Sequence, residues 1–239
     1  LGAARNTALT PGPGDPKDRM RFPYMKPTYF AKSIGRNNYH AFQASVKRSF
    51  SRGVSATFAY TWSKSIDLAC SGFFGTEGCK VQNEYDLNSN RSVSAFNVPH
   101  NVVASWVYEL PFGRGKSLAT SNKALDYIIG GWQINGLLQL RNGLPITIDV
   151  PGDVANIGNP NQYMRPNVVG DWKVTNPRPE KWFNQAAFQQ PAQYTFGNAG
   201  RNIIRPDWTR RVDASIFRQF PIRERMRLEL RVESFGLTN

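Results

Sequence analysis

The sequence predicts an all-β chain, a segment of an antiparallel transmembrane β-barrel with long extracellular loops. Three observations predict it. Several stretches alternate apolar and polar residues with a period of two, the connections between them alternate between tight and long, and the polar set of the last stretch is made of charges. A period of two on a pleated strand sends the two residue sets to opposite faces.

The elements follow in chain order. Residues 1–36 are rich in Pro, Gly and Lys, with the run Pro11-Gly12-Pro13-Gly14-Asp15-Pro16, and read as an irregular segment, whereas 37–239 carry the strand pattern. From Tyr39 to Phe50, the residues Phe42, Ala44, Val46 and Phe50 alternate with Gln43, Ser45, Lys47 and Ser49, and Arg48 breaks the pattern. Ser51-Arg52-Gly53 marks a hairpin, after which Val54, Ala56, Phe58, Tyr60 and Trp62 alternate with Ser, Thr and Ala. Val102, Ala104, Trp106 and Tyr108 repeat the pattern, as do Trp132, Ile134, Gly136, Leu138 and Leu140. Near the end, Val212, Ala214 and Ile216 alternate with Arg211, Asp213 and Ser215. After an expected bend at Phe220–Arg223, Met226, Leu228, Leu230 and Val232 alternate with Arg227, Glu229, Arg231 and Glu233. The patterns amount to about six strands, near the length of about 9–11 residues with which a tilted strand crosses a bilayer.

The connections Ser51–Gly53 and Phe220–Arg225 are tight, whereas the stretches 64–99 and 151–208 are long and full of Asn, Gly and Pro. Outer-membrane barrels pair short periplasmic turns with long extracellular loops in this way. The connection from Pro111 to Gly130 falls on the short side yet is long, with a helical piece expected at Ala124–Ile129.

Composition narrows the classes further. The 239 residues carry 30 Lys+Arg against 17 Asp+Glu, a net charge of +13. A mean hydropathy of −0.47 and the lack of a long apolar run exclude a helical membrane bundle, not a barrel, whose strands are apolar only at alternate positions. A secreted β-sandwich, acting as a carbohydrate-binding or adhesion module, is the alternative architecture. Aromatics near strand ends favour the barrel: Tyr60, Trp62, Trp106, Tyr108 and Trp132 are the expected lipid-facing girdle. Arg211, Asp213, Arg227, Glu229, Arg231 and Glu233 are the expected ionic residues of the lumen.

The stretch from Asn97 to Lys116 (NVPHNVVASWVYELPFGRGK) and Gly130-Gly131-Trp132-Gln133-Ile134-Asn135-Gly136 resemble TonB-dependent receptors, more narrowly the Oar-like group that carries a carboxypeptidase-regulatory-like domain. Gly197-Asn198-Ala199-Gly200-Arg201-Asn202, Asp213-Ala214-Ser215 and the stretch Arg227–Phe235 are similar to the last part of that group's barrel. The resemblance covers about residues 37–239. It implies a barrel of about 22 strands around a plugged lumen, energised through the TonB complex and taking up a bulky, scarce ligand. The chain begins at Leu1 without Met or a signal segment and stops at Asn239 just past a strand pattern, so it reads as a fragment whose plug and closing strand lie elsewhere.

Other chemistries find little support. Leu110–Ser117 ends in Gly-Lys-Ser but has Leu110 where a phosphate loop needs Gly. Asp86-Leu87-Asn88-Ser89-Asn90 mimics a calcium loop, with Arg91 where Gly is required and Asn97 where the bidentate Glu belongs. His40 and His100 are the only histidines, and no nucleophile elbow is present, so no residue is a candidate for catalysis, a metal or a cofactor. Cys70 and Cys79 are expected to form a local disulfide, against two free thiols.

The basic residues are dispersed, which argues against nucleic acid; Arg114, Lys116, Lys123, Arg201, Arg205, Arg210 and Arg211 would suit an anionic ligand or acidic lipopolysaccharide. The loop 151–208 holds Tyr163, Trp172, Trp182, Phe183, Phe188, Tyr194 and Phe196. Of its residues, Trp182, Tyr194, Phe196 and Arg201 are the expected ligand contacts, against the simpler reading of a loop packed on itself.

Overall fold

The computed structural model describes residues 2–4, 6–25, 30–32, 35–68, 81–113, 115–118, 122–158, 164–223 and 226–238. Cys70, Cys79, Arg114 and Tyr163 lie outside them. In chain order the elements are β1 (Gly2–Ala4), β2 (Phe30–Lys32), β3 (Asn37–Ser51), β4 (Val54–Asp67), β5 (Ser92–Val93), β6 (His100–Glu109), α1 (Lys123–Ile129), β7 (Trp132–Arg141), β8 (Asn167–Val168), β9 (Phe188–Gln189), β10 (Thr209–Arg223) and β11 (Met226–Ser234). The chain forms two compact units. A loop unit comprises residues 1–40, 64–97 and 143–206, and a sheet unit comprises 41–63, 98–142 and 207–239.

The sheet is an antiparallel meander in the order β11-β10-β7-β6-β4-β3, so each long strand lies beside its neighbours in the chain. Its six long strands match the sequence patterns, with longer ends: β3 begins at Asn37, and β4 runs on to Asp67, where it pairs with the short seventh strand β5. The β3–β4 hairpin turns on Arg52 at φ 52° and Gly53 at φ 78°, the left-handed pair of a two-residue primed turn.

Two expectations are corrected. β10 does not stop at Phe220 but continues to Arg223, and the bend expected there is a shift of its register against β11 between Pro221 and Arg223. β7 starts at Trp132, opposite Arg218, so beyond that point β10 has no ladder on the β7 side and Pro221 breaks no bond there. The segment 1–36 is not wholly irregular either, since β1 pairs with β2 and a 3-10 turn at Pro16–Arg19 is capped by Asp15. The expected helical piece is α1, where the Asn122 side chain accepts from Ala124 N at 3.0 Å and Leu125 N at 3.3 Å.

Antiparallel pairing sorts the side chains into rows. On the apolar face one row runs Val54, Tyr108, Ile134, Ile216, Val232 and the next runs Ala56, Trp106, Gly136, Ala214. The small residues beside Trp106 leave room for its indole. Among the described residues no second sheet packs on this face: Phe58 is 45% and Leu230 50% exposed, and every fully buried hydrophobic side chain belongs to the loop unit. A β-sandwich needs the opposite, with these residues packed against a second sheet.

The loop unit has a small core of Ala8, Ala155, Ile157 and Met164, with Val150 and Phe196 packed on it. Polar contacts supply much of the remaining order, as its mostly irregular backbone requires.

Candidate functional site

Alternation sets which side chains share the second face of the sheet. Ser55, Thr57 and Thr61 of β4 face Val107, Ser105 and Asn101 of β6, while Gln133, Asn135 and Gln139 of β7 face Phe217, Ser215 and Arg211 of β10. Five of the six ionic residues expected in the lumen make ionic contacts here. Arg231 Nη2 lies 2.6 Å from Glu229 Oε1 and its Nη1 lies 3.4 Å from Glu233 Oε1, with the guanidinium over the Phe217 ring at 5.2 Å. Gln219 Nε2 donates to Glu229 at 3.0 Å. Arg211 Nε lies 3.0 Å from Asp213 Oδ2, and Asp213 Oδ1 accepts from Gly236 N at 2.9 Å. Arg227 stands opposite Pro221 and is exposed.

Two further groups join this face at the hairpin end. Lys116 reaches Glu109 at 2.5 Å, and Gln133 Nε2 donates to the same carboxylate at 3.4 Å. The result is a band of amides and balanced ion pairs, suited to water or polar protein surface and not to hydrocarbon.

The aromatic residues expected as a girdle lie on the apolar face near its two ends. Tyr60 and Trp62 occupy the end that leads into the long connections, Tyr108 and Trp132 occupy the hairpin end, and Trp106 sits one step further in. Tyr60 Oη lies 2.8 Å from His100 Nδ1, and the His100 ring stacks between Tyr60 at 6.1 Å and Trp208 at 6.0 Å. Between His100 and Tyr108 the strand covers about 27 Å. Tilted by about 40°, it spans about 21 Å, close to the height of a barrel's apolar band.

The loop residues expected as ligand contacts fare differently. Arg201 is corrected: it is 1% exposed, pairs with the Asp67 carboxylate, and donates to Asp67 O at 3.2 Å and Asn90 O at 3.3 Å. It ties three chain segments together and presents no charge to solvent. Phe196 packs on the small core, and Trp182 Nε1 donates to Arg205 O at 2.7 Å. Tyr194, at φ 64°, is half-buried and lines an open polar cavity of about 510 Å³ with Gly14, Asp153, Asn156 and Gln190.

Several of the expected cationic loop residues are likewise engaged internally. Arg205 donates to Asn97 O at 2.9 Å and Gly143 O at 2.6 Å, and its burial lowers its pKa. Arg165, which composition gave no reason to single out, is buried; that burial and then the neighbouring Arg201 lower its pKa, while Asp149 and Asp86 oppose the shift. Arg210 lies 3.3 Å from Asp207.

Among the described residues no group of His, Cys, Asp and Glu could hold a metal, and no helix is long and apolar enough to cross a membrane. Sequence reading also missed Arg218, which shares the apolar face with Ile216 yet is only 7% exposed.

No curated protein and no solved structure matches the chain. The family model for an outer membrane beta barrel domain matches residues 2–239, nearly the whole chain. With the antiparallel meander and its uncovered apolar face, that match places the protein in the outer membrane; the chain belongs to the outer membrane beta-barrel domain family.

Proposed function

We propose that the chain is the C-terminal part of the barrel of a TonB-dependent receptor of the Oar-like kind, serving the uptake or sensing of a bulky, scarce ligand such as a ferric chelate or an oligosaccharide. Its role in this reading is recognition and passage, not catalysis. The carrying observation is the single-layered sheet with large apolar residues exposed along one face and ion pairs along the other.

In this reading the apolar rows and the aromatic girdle meet lipid. Arg211, Asp213, Arg227, Glu229, Arg231 and Glu233 meet water or a plug in the lumen. The hairpins lie on the periplasmic side and the long connections form part of the extracellular vestibule. A sheet of six long strands cannot enclose a wide lumen, so the complete barrel takes further strands from the rest of the receptor. The TonB complex would act through the plug.

The test uses the complete receptor in its outer membrane. Binding of the purified TonB periplasmic domain, with ligand uptake lost when TonB is deleted, is the expected outcome. A steady open-channel conductance in planar bilayers, unaffected by TonB, would instead identify a passive pore.

A further inference from the structure

We propose that α1, clamped by Trp132 and Arg218, is an interfacial anchor: a short amphipathic helix laid on the outer wall of the barrel at its hairpin end, with its apolar arc in the headgroup boundary of the periplasmic phospholipid leaflet. The proposal rests on the reading that the apolar face of the sheet meets lipid.

α1 is fixed to that face by specific contacts. Trp132 pairs with Arg218, and Arg218 with Leu230, so all three share the face of Ile134 and Ile216. The Ile128 carbonyl accepts from Trp132 Nε1 at 3.0 Å and from Arg218 Nη1 at 2.6 Å. The Arg218 guanidinium lies over the Phe220 ring at 4.3 Å and the Tyr127 ring at 5.5 Å, and the two rings meet at 5.8 Å.

A cation on an apolar row is costly in hydrocarbon. Here it is covered by rings and faces the carbonyl end of a helix, where the backbone dipoles are negative. Seven residues cannot hold a helix by themselves, so the clamp decides where α1 sits.

The rest of the helix is open. Leu125 is 44%, Tyr127 59% and Ile128 65% exposed. With Ala124 they fall within one arc of about 160° at helical spacing. Asp126 points elsewhere, toward Gly113 and Gly130. In water such an arc would expose leucine, isoleucine and tyrosine for no gain. It is continuous with the apolar face of the sheet, and a helix of this character rests about 5–10 Å into the headgroup and acyl boundary.

The test reconstitutes the complete protein in phosphatidylethanolamine–phosphatidylglycerol vesicles with a dansyl-bearing amino acid in place of Ile128, Leu138 or Asn135. Shallow or deep acyl-chain bromines and aqueous iodide serve as quenchers. Position 128 is expected to be quenched by shallow bromines at least about twofold more than by deep bromines or iodide, as an interfacial depth requires. Deep bromines should quench position 138, and acyl-chain bromines should leave 135 unaffected. Iodide quenching at 128 with 138 still in lipid overturns the anchor alone, as does shielding of 128 from every quencher. Loss of bromine quenching at 138 overturns the lipid-facing reading itself. Combining Arg218→Met with Trp132→Phe should raise iodide quenching at 128 at least about twofold while 138 stays unchanged, because the Ile128 carbonyl then loses both side-chain donors; unchanged shielding would overturn the clamp.

Discussion

The Trp106 indole fills the space over Gly136, where a Cβ would stand 2.0 Å from Trp106 Cζ2. The two residues are directly paired across β6 and β7, so neither can move aside without breaking register. Gly136→Ala in the complete barrel is therefore expected to cost about 1–3 kcal/mol, measured by urea unfolding in vesicles. Trp106→Leu should relieve the clash and give a coupling of about 0.5–3 kcal/mol in a double-mutant cycle. Strict additivity of the two changes would show that they do not share this space.

Arg201 and Asp67 form a buried pair in the loop unit, with side chains 1% and 8% exposed. Asp67→Asn or Arg201→Gln removes one partner and leaves the other buried, at an expected cost of about 3–5 kcal/mol. The loss should appear as faster amide exchange across residues 143–206 with little change in β6 and β7. A joint Arg201→Met and Asp67→Leu replacement should recover most of it, since neither member of the pair then leaves the other's charge unpartnered.

Arg52 holds a left-handed conformation at φ 52° for which its side chain gives no benefit. Arg52→Asn should stabilise the hairpin by about 0.5–1 kcal/mol, and Gly53→Ala, at φ 78°, should destabilise it by a similar amount. Refolding yield and unfolding midpoint report both. Equal stability of the two variants would contradict the assigned turn.

Gly197 sits where backbone meets backbone, and a Cβ there would stand 1.8 Å from Arg165 O and 2.5 Å from Pro166 O. Gln82 spans the same contact, accepting from Arg165 N at 2.7 Å and donating to Gly197 O at 3.0 Å. Gly197→Ala should open the loop unit to limited proteolysis at several-fold lower protease concentration. Wild-type resistance would mean that the segments separate easily.

The sheet was largely legible in the sequence because a period of two encodes both strand and face. The face taken by Trp106 and by Arg231 follows from alternation alone, whereas the turn at Arg52-Gly53 sets the register of β3 against β4 only. The end of β4 was not legible. Ser63, Ser65 and Asp67 are buried polar residues, and their order comes from partners such as Asn97, Ser94 and Arg201 rather than from hydrophobic period.

The same reason explains the misplaced Arg201, whose carboxylate partner is 134 residues away with no local pattern announcing it. Arg218 had no local signal either, because its acceptor lies 90 residues earlier, on a helix outside the strand pattern.

Because the loop unit is assembled from three stretches of chain separated by strands, its order of formation is constrained. Closing it from an extended chain would require gathering groups as far apart as Arg201 and Asp67, 134 positions in the chain, an entropic cost that sequential hairpins avoid. Assembly should therefore zip up the ribbon first, with the loop segments still unfolded until Arg201 meets Asp67.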